Sequence, residues 1–321
     1  MKKIGIFCGG FSSEFDISVK SANTILKNLP TSYDSFLIVV KRGIWMVHYK
    51  GIETLLDLND VSFQFEGNKE KIDIGLVYIH GNPGENGKIQ AFLEMKNIPC
   101  INSGALASEL SFDKWYCNQF LRAFGVPVAK SILLYTPTDL SSEAIVADLG
   151  LPIFVKPADS GSSFGISKVK EMGDLSSAIQ KAFEEGETVV LESFLNGTEV
   201  TCGVYRNAHG IQALPLTEIV SEGEFFDYDA KYLGKSQEIT PARVSDEIKI
   251  KVQEQTKMIY QLLRLKSIAR IDHMIVGDVP YVIEVNTTPG FSDASIVPQM
   301  IRENGQTIDQ FWQEILACEL V

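Results

Sequence analysis

Arg270-Ile271-Asp272 and Glu284-Val285-Asn286 lie in two apolar-alternating segments, Ile268 to Val276 and Tyr281 to Val285, joined by Gly277-Asp278. That pattern reads as a β-hairpin. Residues two apart on a strand share a face, and a tight turn returns Glu284 and Asn286 toward Asp272. Two carboxylates and an amide oxygen on one face form a hard oxygen set. It suits Mg²⁺ that keeps part of its shell on substrate phosphates. A solvated acidic strand face has the same appearance, and the hairpin alone leaves both readings open.

A second stretch, Lys156-Pro157-Ala158-Asp159-Ser160-Gly161-Ser162-Ser163-Phe164-Gly165, follows an apolar strand with glycines and hydroxyls suited to cradling phosphate. It lacks the GxxxxGK[ST] spacing and on its own reads first as a Ser/Gly turn. Gly9-Gly10 after the first strand does not match a dinucleotide GxGxxG. His80, in Ile79-His80-Gly81-Asn82-Pro83-Gly84-Glu85, sits in a loop just past a strand but has no second histidine spaced for a metal pair or a triad. Phe225-Phe226-Asp227-Tyr228-Asp229-Ala230-Lys231-Tyr232 mixes aromatic and charged residues, as would a loop packed on a neighbouring lobe or a lid over a site.

These residues need a scaffold. Ile4 to Phe7, Phe36 to Val40 and Ile74 to Ile79 read as strands, with a helix through Ile17, Ala22 and Ile25 and another from Ile89 to Met95. This predicts an open α/β layer with a mostly parallel sheet, whose ligand edge lies at the strand C-termini. A turn-rich stretch at Pro99 to Ser103 marks a boundary. A single helical pattern then runs from Leu106 to Leu121, followed by strands at Ser131 to Leu134 and Ile153 to Val155 and a helix through Leu175 to Phe183. Strands at Val189 to Glu192 and Glu199 to Tyr205 open the last part, and Ser245 caps a helix that carries Ile248, Val252 and Ile259 inward.

With 321 residues, 45% hydrophobic and 22% charged, the chain fits two or three packed lobes rather than disorder. Its 29 Lys and Arg against 41 Asp and Glu give a net charge of -12, which disfavours a nucleic-acid partner. No apolar run reaches the roughly 20 residues of a membrane span. Five scattered cysteines without CxxC spacing fit buried thiols in a reducing cytoplasm.

Taken together and in this order, these segments resemble the ATP-grasp superfamily, and within it the D-alanine:D-alanine ligases of bacterial cell-wall synthesis. The resemblance runs through Gly9-Gly10 with Ser12-Ser13-Glu14, His80-Gly81 with Gly84-Glu85-Asn86-Gly87, Ser103-Gly104 with Asp113-Lys114, and Lys156-Pro157 with Gly161-Ser162-Ser163. It continues through Glu192, Glu199, Tyr228 to Tyr232, Pro241-Ala242-Arg243, Arg270-Ile271-Asp272 and Glu284 to Gly290. It implies an ATP-grasp fold: an N-terminal open α/β domain (1–100) plus two α+β lobes, central (101–188) and C-terminal (189–321).

The same resemblance implies a reaction. One D-alanine carboxylate takes the γ-phosphate of ATP to become an acyl phosphate, which the amine of a second D-alanine attacks. Asp272, Glu284 and Asn286 match the ligands of Mg²⁺, with Mn²⁺ as an alternative. Lys114, Lys156, Ser163 and the lid residue Lys231 match contacts to ATP phosphates, and Glu192 and Glu199 match contacts to adenine and ribose. Arg270 and the Gly290 N–H match the groups that hold the transferred phosphoryl and the oxyanion. Glu14, Ser162 and Tyr232 match a trio that closes the lid, spanning about 222–243. His80 matches a substrate-side histidine, and Ser295 and Ile296 match the receivers of the second carboxylate. A homodimer in the cytoplasm, with no nucleic acid or membrane partner, is implied as well. Departures at Phe15, Asp16, Asn86 and Phe291 touch only the shape of the amino-acid pocket. D-serine or D-lactate as second substrate, or a non-catalytic nucleotide-binding regulator, are the alternatives.

Overall fold

The computed structural model describes residues 1–159, 165–221 and 236–320. The N-terminal part supplies β1 (Lys3–Gly9), β2 (Asp34–Lys41), β3 (Ile44–Tyr49), β4 (Ile52–Leu55), a ribbon of β5 (Ser62–Phe65) and β6 (Asn68–Lys71), and β7 (Ile74–Val77). Its sheet has the order β4-β3-β2-β1-β7. β1 runs parallel to β2 and β7, as the sequence predicts, but β2, β3 and β4 are antiparallel, so the sheet is mixed rather than mostly parallel. The cause is local. Lys50 and Gly51 both have positive φ, the turn that matches strand twist and folds β4 straight back on β3. The helix Phe15–Asn28 and the helix Lys88–Met95 lie where the periodicity places them.

The central sheet has the order β10-β9-β11-β8, from β8 (Ser131–Leu134), β9 (Ile153–Pro157), β10 (Ser167–Val169) and β11 (Val189–Ser193). The third sheet contains β12 (Thr198–Asn207), β13 (Gly210–Ala213), β14 (Thr217–Ser221), β15 (Ser236–Ile239), β16 (Ile268–Val276) and β17 (Val279–Asn286). Its path is β15-β14-β12-β16-β17, with β13 on β12.

Strand pairing and core membership support a different placing of the lobe boundaries. β11 pairs with β8 and β9, so a division at residue 188 would cut the central sheet. The pattern from Leu106 to Leu121 is two helices, Ala105–Phe112 and Lys114–Ala123, because Asp113 is extended and accepts the Tyr116 N–H as an N-cap. Ala107, Cys117 and Leu121 pack with Val204, Ile259 and Val285, in the core of the C-terminal lobe. The buried residues of the central core run from Leu134 to Leu191, with Ile132 packed against them. We therefore propose that the central lobe runs from about β8 to β11 and that the two preceding helices belong to the C-terminal lobe.

The helices Ile296–Glu303 and Ile308–Glu319, absent from the sequence reading, join the lobes at either end. Val297, Phe311 and Trp312 share one core with Ile4, Ile6 and Ile25 of the N-terminal lobe. Tyr78 donates its hydroxyl to the Pro289 carbonyl at 2.9 Å across that contact. The Ser245 cap is present, its Oγ accepting the Ile248 N–H.

Candidate active site

The hairpin of β16 and β17 sets Arg270 opposite Asn286 and Asp272 opposite Glu284. Directly paired residues share a face, and so do residues two apart, so these four side chains form a square on one side of the sheet. The register slips just beyond it: His273 faces Val282, leaving Ile283 as the extra residue of a bulge. Asp272 is gripped from three sides. Arg270 donates Nε and Nη2 to its two oxygens at 2.8 Å each, Asn286 Nδ2 donates at 3.0 Å, and Thr201 donates its hydroxyl from the neighbouring strand β12. Glu284 takes an ion pair from Lys114 at 3.1 Å.

This donor set answers whether a divalent cation fits. Among the described residues no group of three or more His, Cys, Asp or Glu is placed to hold a metal. Two carboxylates with the carbonyl end of the Asn286 amide are too few for a closed cage. They are the right number and hardness for Mg²⁺ shared with phosphate oxygens.

Two cavities meet at Glu284. The first, about 490 Å³, lies between the central and third sheets, with Phe154, Ile166, Leu195, Met274 and Val282 as apolar walls and Lys114, Glu199 and Asp272 at its polar end. Lys156 on β9 and Glu192 on β11 also line it. Val190 pairs with Lys156, so Glu192, two residues on, shares its face. The Lys156 Nζ and Glu192 Oε2 are 2.7 Å apart with both side chains buried, and Asn118 Nδ2 donates to the other Glu192 oxygen at 3.1 Å. Lys114 is oriented by its helix, which Asp113 caps and whose first N–H reaches the Ala158 carbonyl at 2.9 Å.

The second cavity, about 350 Å³, is lined by Glu14, His80, Arg270, Asn286, Gly290, Ser295 and Ile296. It lies at the C-terminal ends of β1 and β7, the ligand edge expected from the topology. Glu14 occupies the N-cap position of the helix Phe15–Asn28, without a side-chain bond to it. His80 is buried, with Nε2 3.4 Å from Ser21 Oγ. Burial holds its pKa below the ordinary 6.5, partly opposed by the Glu14 charge, so the ring is neutral at physiological pH. The Ser295 Oγ accepts the Ser292 N–H at 3.0 Å, and Ser295 occupies the N-cap position of the helix Ile296–Glu303 without a side-chain bond to it.

All the expected site residues that the structure describes therefore line one or other cavity. Ser162, Ser163, Lys231 and Tyr232 lie outside the described residues. Four further residues belong to the site that the sequence reading did not single out: Asn118, Thr201, Glu85 and Glu238. Thr201 was findable, since it lies two residues from Glu199 and so shares its strand face. Glu85 lies in the stretch after His80. Desolvation, then the charge of Glu14, pushes its carboxyl from the ordinary 4.5 to about 8, although its Oε2 accepts the Gly81 N–H at 2.7 Å.

That shift predicts a pH effect. The folded chain binds this proton more tightly than the unfolded chain. Its stabilising contribution is thus complete below about 4.5 and is lost as pH rises through about 8. Glu85→Gln should flatten the decline in unfolding free energy across that window, measured by urea titration at several pH values. An identical decline in the variant would assign it to other groups.

Comparison with known proteins is consistent along the whole chain. Residues 3–103 match the D-ala D-ala ligase N-terminus family and residues 120–317 the D-ala D-ala ligase C-terminus family. The chain is 44% identical over 322 residues to a D-alanine–D-alanine ligase of Parabacteroides distasonis, covering 99% of this chain and 98% of that one. Among solved structures it is similar to D-alanyl-alanine synthetase A from Vibrio cholerae, with TM-score 0.89, 29% identity, and 100% and 99% of the two chains covered. The VanG D-Ala:D-Ser ligase from Enterococcus faecalis aligns equally well, with TM-score 0.89 and 29% identity over 99% of both chains. Two family matches, a relative at 44% identity and a shared fold over its full length place this chain in the D-alanine–D-alanine ligase family.

Proposed function

We infer that the chain is an ATP-dependent ligase that joins two D-alanines into D-alanyl-D-alanine for peptidoglycan precursor synthesis, through an acyl phosphate. One observation carries this reading: a cavity with apolar walls and lysines at one end opens beside a second cavity lined by carboxylates, a neutral histidine and a guanidinium, and the square of Arg270, Asp272, Glu284 and Asn286 stands where they meet. A triphosphate lying in the first would present its terminal phosphate to a carboxylate held in the second.

Each residue then has a task. The apolar walls hold the adenine, with Glu192 and Glu199 as hydrogen-bond acceptors for its amine and for the ribose hydroxyls. Lys114 and Lys156 place charge on the phosphates. Mg²⁺, with Mn²⁺ as a substitute, would be held by Asp272, Glu284 and Asn286 and would neutralise the β- and γ-phosphate oxygens. Glu14 receives the ammonium of the first D-alanine, and His80, being neutral, orients that substrate without repelling it. Arg270 holds the phosphoryl as it transfers, and the Gly290 N–H meets the oxyanion that forms when the amine attacks. Ser295 and Ile296, at the start of a helix, receive the second carboxylate. Ser162, Ser163, Lys231 and Tyr232 close the site by family resemblance, and a homodimer in the cytoplasm completes the reading. Among the described residues no helix is long and apolar enough to cross a membrane.

The test is ADP release with a panel of D- and L-amino acids and D-lactate, with mass measurement of the product. D-alanine should give the dipeptide, L-alanine should be inert, and a chelator should stop turnover. Equal ADP release with L-alanine, or full turnover without divalent cation, would remove the assignment. A heterodimeric product in mixtures of D-alanine with D-serine would assign the second-substrate alternative instead.

A further inference from the structure

The reaction contains a proton that none of the residues above removes. The second amino acid arrives as an ammonium, and only the free amine can attack the acyl phosphate. A carboxylate near the second-carboxylate site could take that proton. Among the described carboxylates that line the second cavity, Glu284 is paired with Lys114, and Glu85, pushed up to about 8, keeps its own proton at neutral pH. Glu14, which follows β1 in the N-terminal lobe, acts by its charge on the His80 imidazole.

The remaining one is Glu238. It lies on β15, where the chain returns from the segment 222–235 to the third sheet, and it lines the same cavity as Arg270, Gly290 and Ser295. Its Oε2 accepts a hydrogen bond of 3.1 Å from Gln299 Nε2, and the same amide donates to the Ala294 carbonyl at 2.9 Å. Gln299 stands in the helix that starts just after Ser295, so this link fixes the Glu238 carboxylate relative to the group that receives the second carboxylate. Burial raises the carboxyl above its ordinary range, against the opposing effects of Gln299 and Arg270, which makes it a stronger proton acceptor than an exposed glutamate.

We propose that Glu238 is a further catalytic residue, which binds the ammonium of the second D-alanine and takes one proton from it. The carboxylate becomes a carboxylic acid as the ammonium becomes an amine. The amine lone pair then forms the C–N bond, the acyl C–O bond breaks with its electron pair on the leaving phosphate, and the second N–H proton goes to that phosphate. This rests on the ligase reading above.

Glu238→Gln tests it, since the amide oxygen can still accept from Gln299 while the proton acceptor is gone. The expected result is a fall of roughly 10²-fold in kcat/KM for the second D-alanine. The fraction of ADP released without dipeptide should rise. D-alanine-dependent exchange of the β,γ-bridge oxygen of ATP, which reports the first half-reaction, should persist. Should this variant fail to fold, Glu238→Asp carries the same readouts and should raise the second-site KM with exchange intact. Unchanged second-site kinetics and coupling, or loss of isotope exchange in step with turnover, overturns the proposal. A wild-type enzyme without D-alanine-dependent ADP release would overturn the ligase reading itself, a result distinct from either.

Discussion

Replacing Arg270 with alanine should lower turnover by roughly 10²–10³-fold while leaving the fold intact, the usual cost of deleting one donor to charge that develops in a transition state. The guanidinium is well placed for this. It lies at the junction of the two cavities, one residue pair from Glu284, and its present partner Asp272 accepts two of its N–H groups. Removing it leaves Asp272 with the Asn286 and Thr201 donors but without its cation. Neutral donors do not replace a cation beside a buried carboxylate, so some stability is lost as well, and the rate is compared on protein shown to be folded. Arg270→Lys keeps the charge but loses the planar fork, so it should recover only part of the activity. Steady-state kinetics beside thermal unfolding decides the matter: a well-folded alanine variant within about threefold of wild-type kcat would take Arg270 out of phosphoryl transfer.

How much of this was legible in the sequence depends on chain separation. The square of Arg270, Asp272, Glu284 and Asn286 needs only a period of two and one tight turn, both local signals, and the observed register agrees with them. The Lys156–Glu192 pair was invisible. It depends on how β9 and β11, separated by the helix Leu175–Phe183 and by β10, come together in the central sheet. Glu238 was missed for a similar reason, since its link to Gln299 crosses 61 positions. The antiparallel edge of the first sheet rested on two-residue turns such as Lys50-Gly51, where a lysine occupies a left-handed conformation that its type does not announce. Asp113 was quoted as a motif residue, yet its capping role split a helix that apolar spacing alone had joined.

Lys156→Met should destabilise the chain by roughly 3–5 kcal/mol, because it leaves Glu192 as a buried carboxylate without its cation. The two side chains are each only 8% exposed at a separation of 2.7 Å, so water offers little compensation. The Asn118 amide remains, but one neutral donor does not replace an ammonium. The asymmetry of such pairs supplies the control. Replacing both partners, Lys156→Met with Glu192→Leu, removes the stranded charge and should restore most of the lost stability, even though two polar contacts have gone. Function should not follow the same course. If Lys156 places charge on the ATP phosphates, both variants should show a raised KM for ATP, including the double variant whose fold is sound. Urea unfolding and ATP titration on the same preparations separate these effects. A single variant losing less than about 1 kcal/mol would mean that the pair behaves as an exposed one, solvated in the open cavity mouth. A double variant with wild-type ATP affinity would make Lys156 and Glu192 structural neighbours of the nucleotide rather than part of its site.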